Sequence, residues 1–370
     1  MDGALAKLGN QLPQRIVILR ALQLGDLLVA VPALRALRAA LPSASITLIG
    51  LPWAREFVRR FNRYLDDFLE FPGYPGLPER EPQIRQIPAF FAEAQNRRFD
   101  LALQMHGSGS YLNSILVLLG ARINAGFYLP GNYCPDRDRF LPFPQHEHEI
   151  RMMMRLIEFL GVPLAGEELE FPLSEADWQK FRAVDEAAEL MGSDYVCVHA
   201  GARYRSRRWP AERFAAVADA LAERGLRVVL TGTTGEAELV ATVSRSIRAP
   251  HLNLAGKIDE LGAFGALLRG ARLVVSNDTG VSHMVAGLKV PSVIITSGSD
   301  PQRWGPLNYA LHHNLYHPIE CRPCAYFRCP IGHPCALSVT AEEVIAHADE
   351  LLRHVLQNRR KEVGSSQCVV

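Results

Sequence analysis

Short, β-branched apolar runs alternate with amphipathic stretches of helical length, twice over in 370 residues, and this leaves the chain few folds to choose from. Runs at 15–20, 46–50, 68–71 and 101–105 read as strands, and 28–41, 53–61, 84–97 and 149–160 read as helices. The rhythm restarts at residue 195. Strands are expected at 195–199, 227–231, 273–277 and 292–296, with helices at 211–224, 235–247, 261–268 and 279–288. Crossovers of helical length imply parallel strands covered on both faces. The expected fold class is therefore α/β, two doubly wound, Rossmann-like units in tandem. A single hydrophobic core does not comfortably serve a chain of this length, which points the same way.

Between the halves, 128–148 is rich in Pro, Asp and Arg and predicts a long loop. Residues 161–172 and a helix at 175–190 look like the connection. The expected domains are 1–172 and 173–340, followed by a C-terminal helix at 341–357 and a flexible tail that completes 341–370. Forty basic residues face 39 acidic ones, for a net charge of +1, which argues against nucleic acid as a partner. The N-terminal residues do not have the pattern of a signal peptide, and no apolar run approaches the roughly 18–20 residues that span a bilayer. A cytoplasmic protein is expected, with membrane contact only peripheral, at the inner face. Arg55, Arg59, Arg60 and Arg63 crowd the second helix and read as a solvated face or a surface for an anionic acceptor.

Chemistry concentrates at strand ends, where open α/β sheets bind ligands. After the first strand, Gly25 and Asp26 present a carboxylate on a turn ahead of the helix. Asp26 is either a base or a helix cap. The Gly-x-Gly-x-x-Gly fingerprint is missing, which disfavours a dehydrogenase. A second strand runs into Asn277-Asp278-Thr279-Gly280, and His283 follows on the first turns of the next helix. The first amides of such a helix are expected to face outward, unsatisfied, as a phosphate site. A third strand ends in the small residues Gly201 and Ala202, then Arg203, Arg205, Arg207 and Arg208 before Trp209-Pro210. Guanidinium groups suit phosphate. His106, in a Gly- and Ser-rich loop after the strand at 101–105, is placed on the acceptor side with Gly25.

Taken in order, Leu-Gly-Asp with its Pro-Ala-Leu-Arg helix, Arg-Arg-Trp-Pro-Ala-Glu-Arg-Phe, Leu-Thr-Gly with Glu-Ala-Glu-Leu, and Ser-Asn-Asp-Thr-Gly-Val-Ser-His resemble glycosyltransferase family 9, the ADP-heptose:lipopolysaccharide heptosyltransferases. The resemblance runs from about residue 15 to about residue 344. It implies a GT-B fold, two domains facing a cleft, and inverting transfer without a metal. The sugar, heptose or a related one, would pass from a nucleotide-sugar donor, ADP-linked, to a saccharide or lipid-linked acceptor. No cofactor is implied. It casts Asp26 as the base, and Asp278, Thr279, Gly280, His283, Gly201, Ala202 and Arg207 as the donor side. Glu236 or Glu238 would face the nucleoside, and the resemblance leaves that choice open. A sugar-nucleotide epimerase and a non-catalytic binding protein of the same fold are the alternatives.

Four of the seven cysteines, Cys321, Cys324, Cys329 and Cys335, form a Cys-x2-Cys-x4-Cys-x5-Cys cluster flanked by His317 and His333. The spacing matches no standard zinc or iron–sulfur pattern, so reduced structural thiols are expected ahead of metal.

Overall fold

The computed structural model describes residues 5–9 and 11–366. Two compact units emerge, Met1–Glu168 and Leu169–Val370.

The first unit runs β1 (Arg15–Leu19), α1 (Leu24–Leu28), α2 (Val31–Ala40), β2 (Ser45–Gly50), α3 (Ala54–Arg60), β3 (Asp67–Glu70), α4 (Ile87–Asn96), β4 (Leu101–Gln104), α5 (Leu112–Leu118), β5 (Ile123–Tyr128), β6 (Phe140–Pro142) and α6 (Glu149–Phe159). Its six strands are all parallel, in the order β3-β2-β1-β4-β5-β6. The second unit runs α7 (Glu175–Arg182), β7 (Tyr195–His199), α8 (Ala211–Glu223), β8 (Arg227–Thr231), α9 (Ala237–Ser246), β9 (His251–Asn253), α10 (Leu261–Gly270), β10 (Leu273–Asn277), α11 (Gly280–Leu288), β11 (Ser292–Ile295), α12 (Pro301–Trp304), β12 (His312–Leu315), α13 (Pro334–Leu337) and α14 (Ala341–Ser366). Its sheet, β12-β11-β10-β7-β8-β9, is again parallel throughout. Numbered from its own first strand, each sheet has the order 3-2-1-4-5-6, the doubly wound plan.

The central strands explain themselves. Residues 16–19 and 196–198 are buried on both faces, as continuous apolar runs in parallel sheets must be. The edge strands β9 and β12 read His-Leu-Asn and His-His-Asn-Leu, too short and polar to announce a strand. Within the stretch expected to be a long loop, β6 pairs with β5 to finish the first sheet. The first helix also differs from expectation. It divides into α1 and α2, with Pro32 in the first turn of α2, where a missing N–H is tolerated. The last helix extends past 357 to Ser366, through Arg359, Arg360, Lys361 and Glu362, all good helix formers. Of the tail, 367–370 lies outside the described residues. Among the described residues no helix is long and apolar enough to cross a membrane.

In each unit the strand order reverses beside the first strand, between β1 and β4 and between β7 and β10. The carboxyl ends of these strands form the crevice where doubly wound folds bind ligands. In the first unit a buried charge holds that point together. Arg20, 1% exposed, donates from Nε to the Asp26 carbonyl at 2.7 Å, from Nη1 to the Met105 carbonyl, and from Nη2 to Glu149 Oε1 at 3.2 Å. Removing Glu149 strands the guanidinium. Glu149→Ala should therefore cost about 3–5 kcal/mol of stability in urea denaturation; a loss under about 1 kcal/mol would contradict the pairing.

Candidate active site

Asp26 lies inside α1, in its first turn, rather than on a glycine turn ahead of a helix. The Gln23 amide donates to its Oδ2 at 3.2 Å, so the residue does cap the turn. Oδ1 has no hydrogen-bond partner among the described residues, and capping therefore leaves one oxygen available. Burial pushes the Asp26 carboxyl above the ordinary aspartate range. Arg20 opposes that rise and Glu149 adds to it, with smaller lowering effects from the Gln23 amide and His106. Gly25 is buried within the same turn.

His106 follows β4 on the other side of the crevice and is 5% exposed. Its Nε2 sits 3.3 Å from Glu79 Oε1, while its Nδ1 is buried with no hydrogen-bond partner. Gln104, at the end of β4, fixes this loop: its Nε2 donates to the His106 carbonyl at 2.6 Å, and its Oε1 accepts from the Phe127 amide at 3.1 Å. The arginine-rich third helix is a solvated face in part, with Arg55 stacked 4.7 Å over the Phe68 ring and Arg60 3.7 Å from Glu56.

The second unit builds its crevice around Asn277. Buried completely at the end of β10, Asn277 donates from Nδ2 to the Ala200 carbonyl at 2.8 Å and accepts the Trp209 amide at 2.9 Å. Both ends of the loop after β7 are thereby tied to the neighbouring strand. Next in sequence, Asp278 accepts from Ser299 Oγ. Burial lifts its pKa to about 6, against the hydrogen bond from Ser299 and the charge of Arg207. Thr279 caps α11. Its Oγ1 accepts from Val281 at 3.4 Å and its carbonyl from the Ser282 amide at 3.1 Å, so these two first-turn amides are engaged rather than unsatisfied. Gly280 opens the helix, and His283, buried, packs edge-on to Trp304 with ring centres 6.1 Å apart.

Arg207 meets this end of the sheet from the β7 loop. Its Nη2 donates to the Cys324 carbonyl at 2.7 Å, and its Nη1 is buried without a hydrogen-bond partner. An unsatisfied guanidinium nitrogen is costly, and an anionic oxygen would satisfy it. The two candidate glutamates part company. Glu236 accepts from the Thr233 amide and hydroxyl, both at 2.9 Å, and its carboxylate lies against Gly201, where an added Cβ would come within 2.2 Å of Oε1. Glu238, on the first turn of α9, is exposed. Ala202 is buried and its carbonyl accepts Arg208 Nε at 2.9 Å.

The cysteine cluster closes over the same loop, with all four thiols free. Arg20, Glu149, Gln104 and Ser299 escaped the sequence reading as site residues, and Asn277 entered it only as part of a motif, for a polar side chain carries no signal of whether it turns inward.

The raised pKa of Asp278 has a direct consequence. Between the unfolded value near 3.8 and the folded value of about 6, the native state holds a proton that the unfolded chain has lost. Its contribution to stability is complete below pH of about 4 and disappears as pH rises through about 6. Urea midpoints of wild type and Asp278→Asn should thus converge at acid pH and separate at neutral pH, with wild type the less stable there. Parallel pH profiles would show that Asp278 titrates normally.

The family model for glycosyltransferase family 9 (heptosyltransferase) matches residues 88–333. Lipopolysaccharide heptosyltransferase 3 of Escherichia coli is 30% identical over 151 residues, 40% of this chain and 44% of that protein. The same enzyme of strain K12 is matched over 60% of its length, so the chain aligns with about half of each. Heptosyltransferase 2 of Salmonella typhimurium is 24% identical over 80% of this chain and 86% of its own. Among solved structures, a family 9 glycosyl transferase from Veillonella parvula superposes with a TM-score of 0.76 at 22% identity, covering 95% of this chain and 100% of that one. E. coli ADP-heptose lipopolysaccharide heptosyltransferase II gives 0.72 at 18% identity, with 93% and 99% covered. These structures share the fold, which is GT-B. The order of strands, the segments at both switch points and the family match agree that the chain belongs to glycosyltransferase family 9.

Proposed function

We propose that this chain is an inverting glycosyltransferase that moves heptose or a related sugar from an ADP-linked donor to a saccharide or lipid-linked saccharide acceptor. The observation that carries the reading is the content of the two switch points. One holds a partly buried carboxylate with a raised pKa and a spare oxygen. The other holds a buried, unsatisfied arginine nitrogen beside a helix N-terminus. The relatives named heptosyltransferases supply the sugar and the lipopolysaccharide setting of the proposal.

In this reaction Asp26 takes the proton of an acceptor hydroxyl as its oxygen attacks the anomeric carbon. The bond from that carbon to the diphosphate oxygen breaks on the opposite face, so configuration inverts. ADP leaves with the electron pair, and the charge developing on it meets Arg207 and the Gly280 end of α11. These groups supply the positive charge that a metal provides in other transferases, so the transfer step needs none. Gly201 and Ala202 let the diphosphate approach the backbone, His283 lies behind Gly280, and Glu236, rather than exposed Glu238, faces the nucleoside. Gly25 and His106 border the acceptor hydroxyl. A lipid-linked acceptor would bring the protein to the cytoplasmic face of a membrane without any spanning segment.

A general base contributes about 10²–10⁴ in rate. Asp26→Asn should lower kcat by about that factor while leaving ADP affinity unchanged. Arg207→Ala should do the reverse, weakening ADP binding by about tenfold or more through loss of a charged hydrogen-bond donor. Transfer assays with ADP-heptose and a heptose-deficient core oligosaccharide, alongside calorimetry with ADP, check both. Full turnover in Asp26→Asn, or conversion of donor with no acceptor present, would overturn the assignment.

A further inference from the structure

The last helix of the second unit passes its last strand, and histidines meet where they cross. α14 buries Val344, Ala348 and Leu351 in the core of that unit. His347 and Glu350, three residues apart, share one flank of the helix, and His354 extends the same stripe by a turn. β12 is the edge strand of its sheet and reads His312-His313-Asn314-Leu315. Successive side chains of a strand take opposite faces. His312 turns inward, its Nδ1 2.9 Å from Ser292 Oγ, and Leu315 joins the core beneath α14. His313 therefore shares the face of Leu315 and stands half-buried against the helix. Further along, His317 Nε2 lies 3.0 Å from Glu343 Oε2.

We propose that His313, His347 and Glu350 bind a zinc ion, which clamps the edge of the second sheet to α14. One donor atom from each of the three side chains lies within 4.8 Å of the other two. The imidazole Nδ1 atoms of His313 and His347 are 2.8 Å apart, and His347 Nδ1 is 3.9 Å from Glu350 Oε2. In a tetrahedral zinc site with ligand bonds of about 2.0–2.2 Å, neighbouring donors stand roughly 3.3 Å apart. The two separations straddle that figure, so small rotations of partly exposed side chains complete the geometry. Two imidazole nitrogens in contact can share one proton but not hold two, because the second would set cation against cation. A metal ion between them uses both lone pairs at once, and the Glu350 carboxylate offsets its charge. Two imidazoles also select zinc and its neighbours over calcium or magnesium, which take oxygen ligands. Water completes the four-coordinate set.

What the clamp does follows from where it sits. β12 has four residues, of which only His312 and Leu315 are buried, so little apolar burial holds it to the sheet. The residues that leave it, 316–334, reach α13 without burying one side chain. A metal ion at His313 fixes the strand from which that segment departs, and it fixes it to a helix already anchored in the core. The three ligands come together only when β12 and α14 are in place, so zinc binds the folded chain in preference to the unfolded one and stabilises it by mass action. None of the three belongs to either crevice. The site therefore stands apart from the donor reading, and neither depends on the other.

The test is a titration of the full chain with zinc at micromolar free concentration, read by calorimetry and by urea denaturation, beside His313→Ala, His347→Ala and Glu350→Gln. Wild type should take up about one equivalent more than either histidine variant. Its urea midpoint should rise with zinc concentration, and this rise should be absent from both variants. The free thiols are common to all four proteins, so any metal they hold cancels in the difference. Glu350→Gln keeps both imidazoles and should weaken this site by at least the roughly tenfold that loss of an outer partner costs a metal centre. An equal zinc count in wild type and both histidine variants overturns the site. So does an equal rise of the midpoint with magnesium, which would mark a carboxylate acting alone. If circular dichroism shows a histidine variant unfolded, Glu350→Gln carries the comparison, and unchanged zinc affinity there overturns the site equally.

Discussion

A guanidinium sealed from water fixes the first unit. Arg20 is 1% exposed, and the effective cost of burying such a charge is on the order of several kcal/mol unless its donors find partners. The partners come from three other places in the chain: the Met105 carbonyl after β4, the Asp26 carbonyl in α1, and the Glu149 carboxylate at the start of α6. Glu149 is itself well placed, an acid in the first turn of a helix. One side chain therefore holds the crevice at the switch point in register. It also sets the carboxyl of Asp26, because the burial that raises that pKa and the Arg20 and Glu149 charges acting on it belong to the same cluster. The upward shift of that carboxyl follows from packing, without a dedicated partner.

The second unit reaches a comparable end by neutral means. Asn277 spans the gap between β10 and the loop after β7, with amide and carbonyl both used. Where Arg20 brings charge into the first crevice, Asn277 brings none, and the charge arrives separately on Arg207. This division makes sense for an anion site. A fixed scaffold that was itself cationic would leave no unsatisfied donor for a ligand, whereas Arg207 retains one in Nη1.

The sequence shows its central strands plainly, since β7, β8 and β10 begin and end at the residues expected from the apolar runs at their centres. It hides the edges. β9 and β12 are polar and short, and what makes them strands is a neighbour's hydrogen bonds, not their own side chains. The site shows the same pattern. Motif residues such as Asp26, Asp278 and Arg207 are visible because charged residues stand out in the short segments that follow apolar strands. Arg20 and Glu149 sit 129 positions apart, and no local pattern joins them. The choice between Glu236 and Glu238 was closed to the sequence for a related reason. Two positions apart, they straddle the start of α9, and only the approach of Glu236 to Gly201 separates them.

Asp26 and Asp278 illustrate how one physical cause yields opposite chemistry. Burial raises both pKa values. At Asp26 the rise would strengthen the base of the proposed reaction, whose second oxygen has no hydrogen-bond partner among the described residues. At Asp278 it lowers the charge of a carboxylate placed next to a candidate diphosphate, and an anion arriving there would lower it further, because like charges favour the protonated form. A permanently ionised aspartate at that position would repel the anionic donor that the proposed function places against Arg207. A value of about 6 lets proton uptake relieve the repulsion at little cost near neutrality. The carboxyl can then offer its proton to an oxygen of the ligand. An aspartate at the proposed diphosphate site thus ceases to be a contradiction once its burial is taken into account.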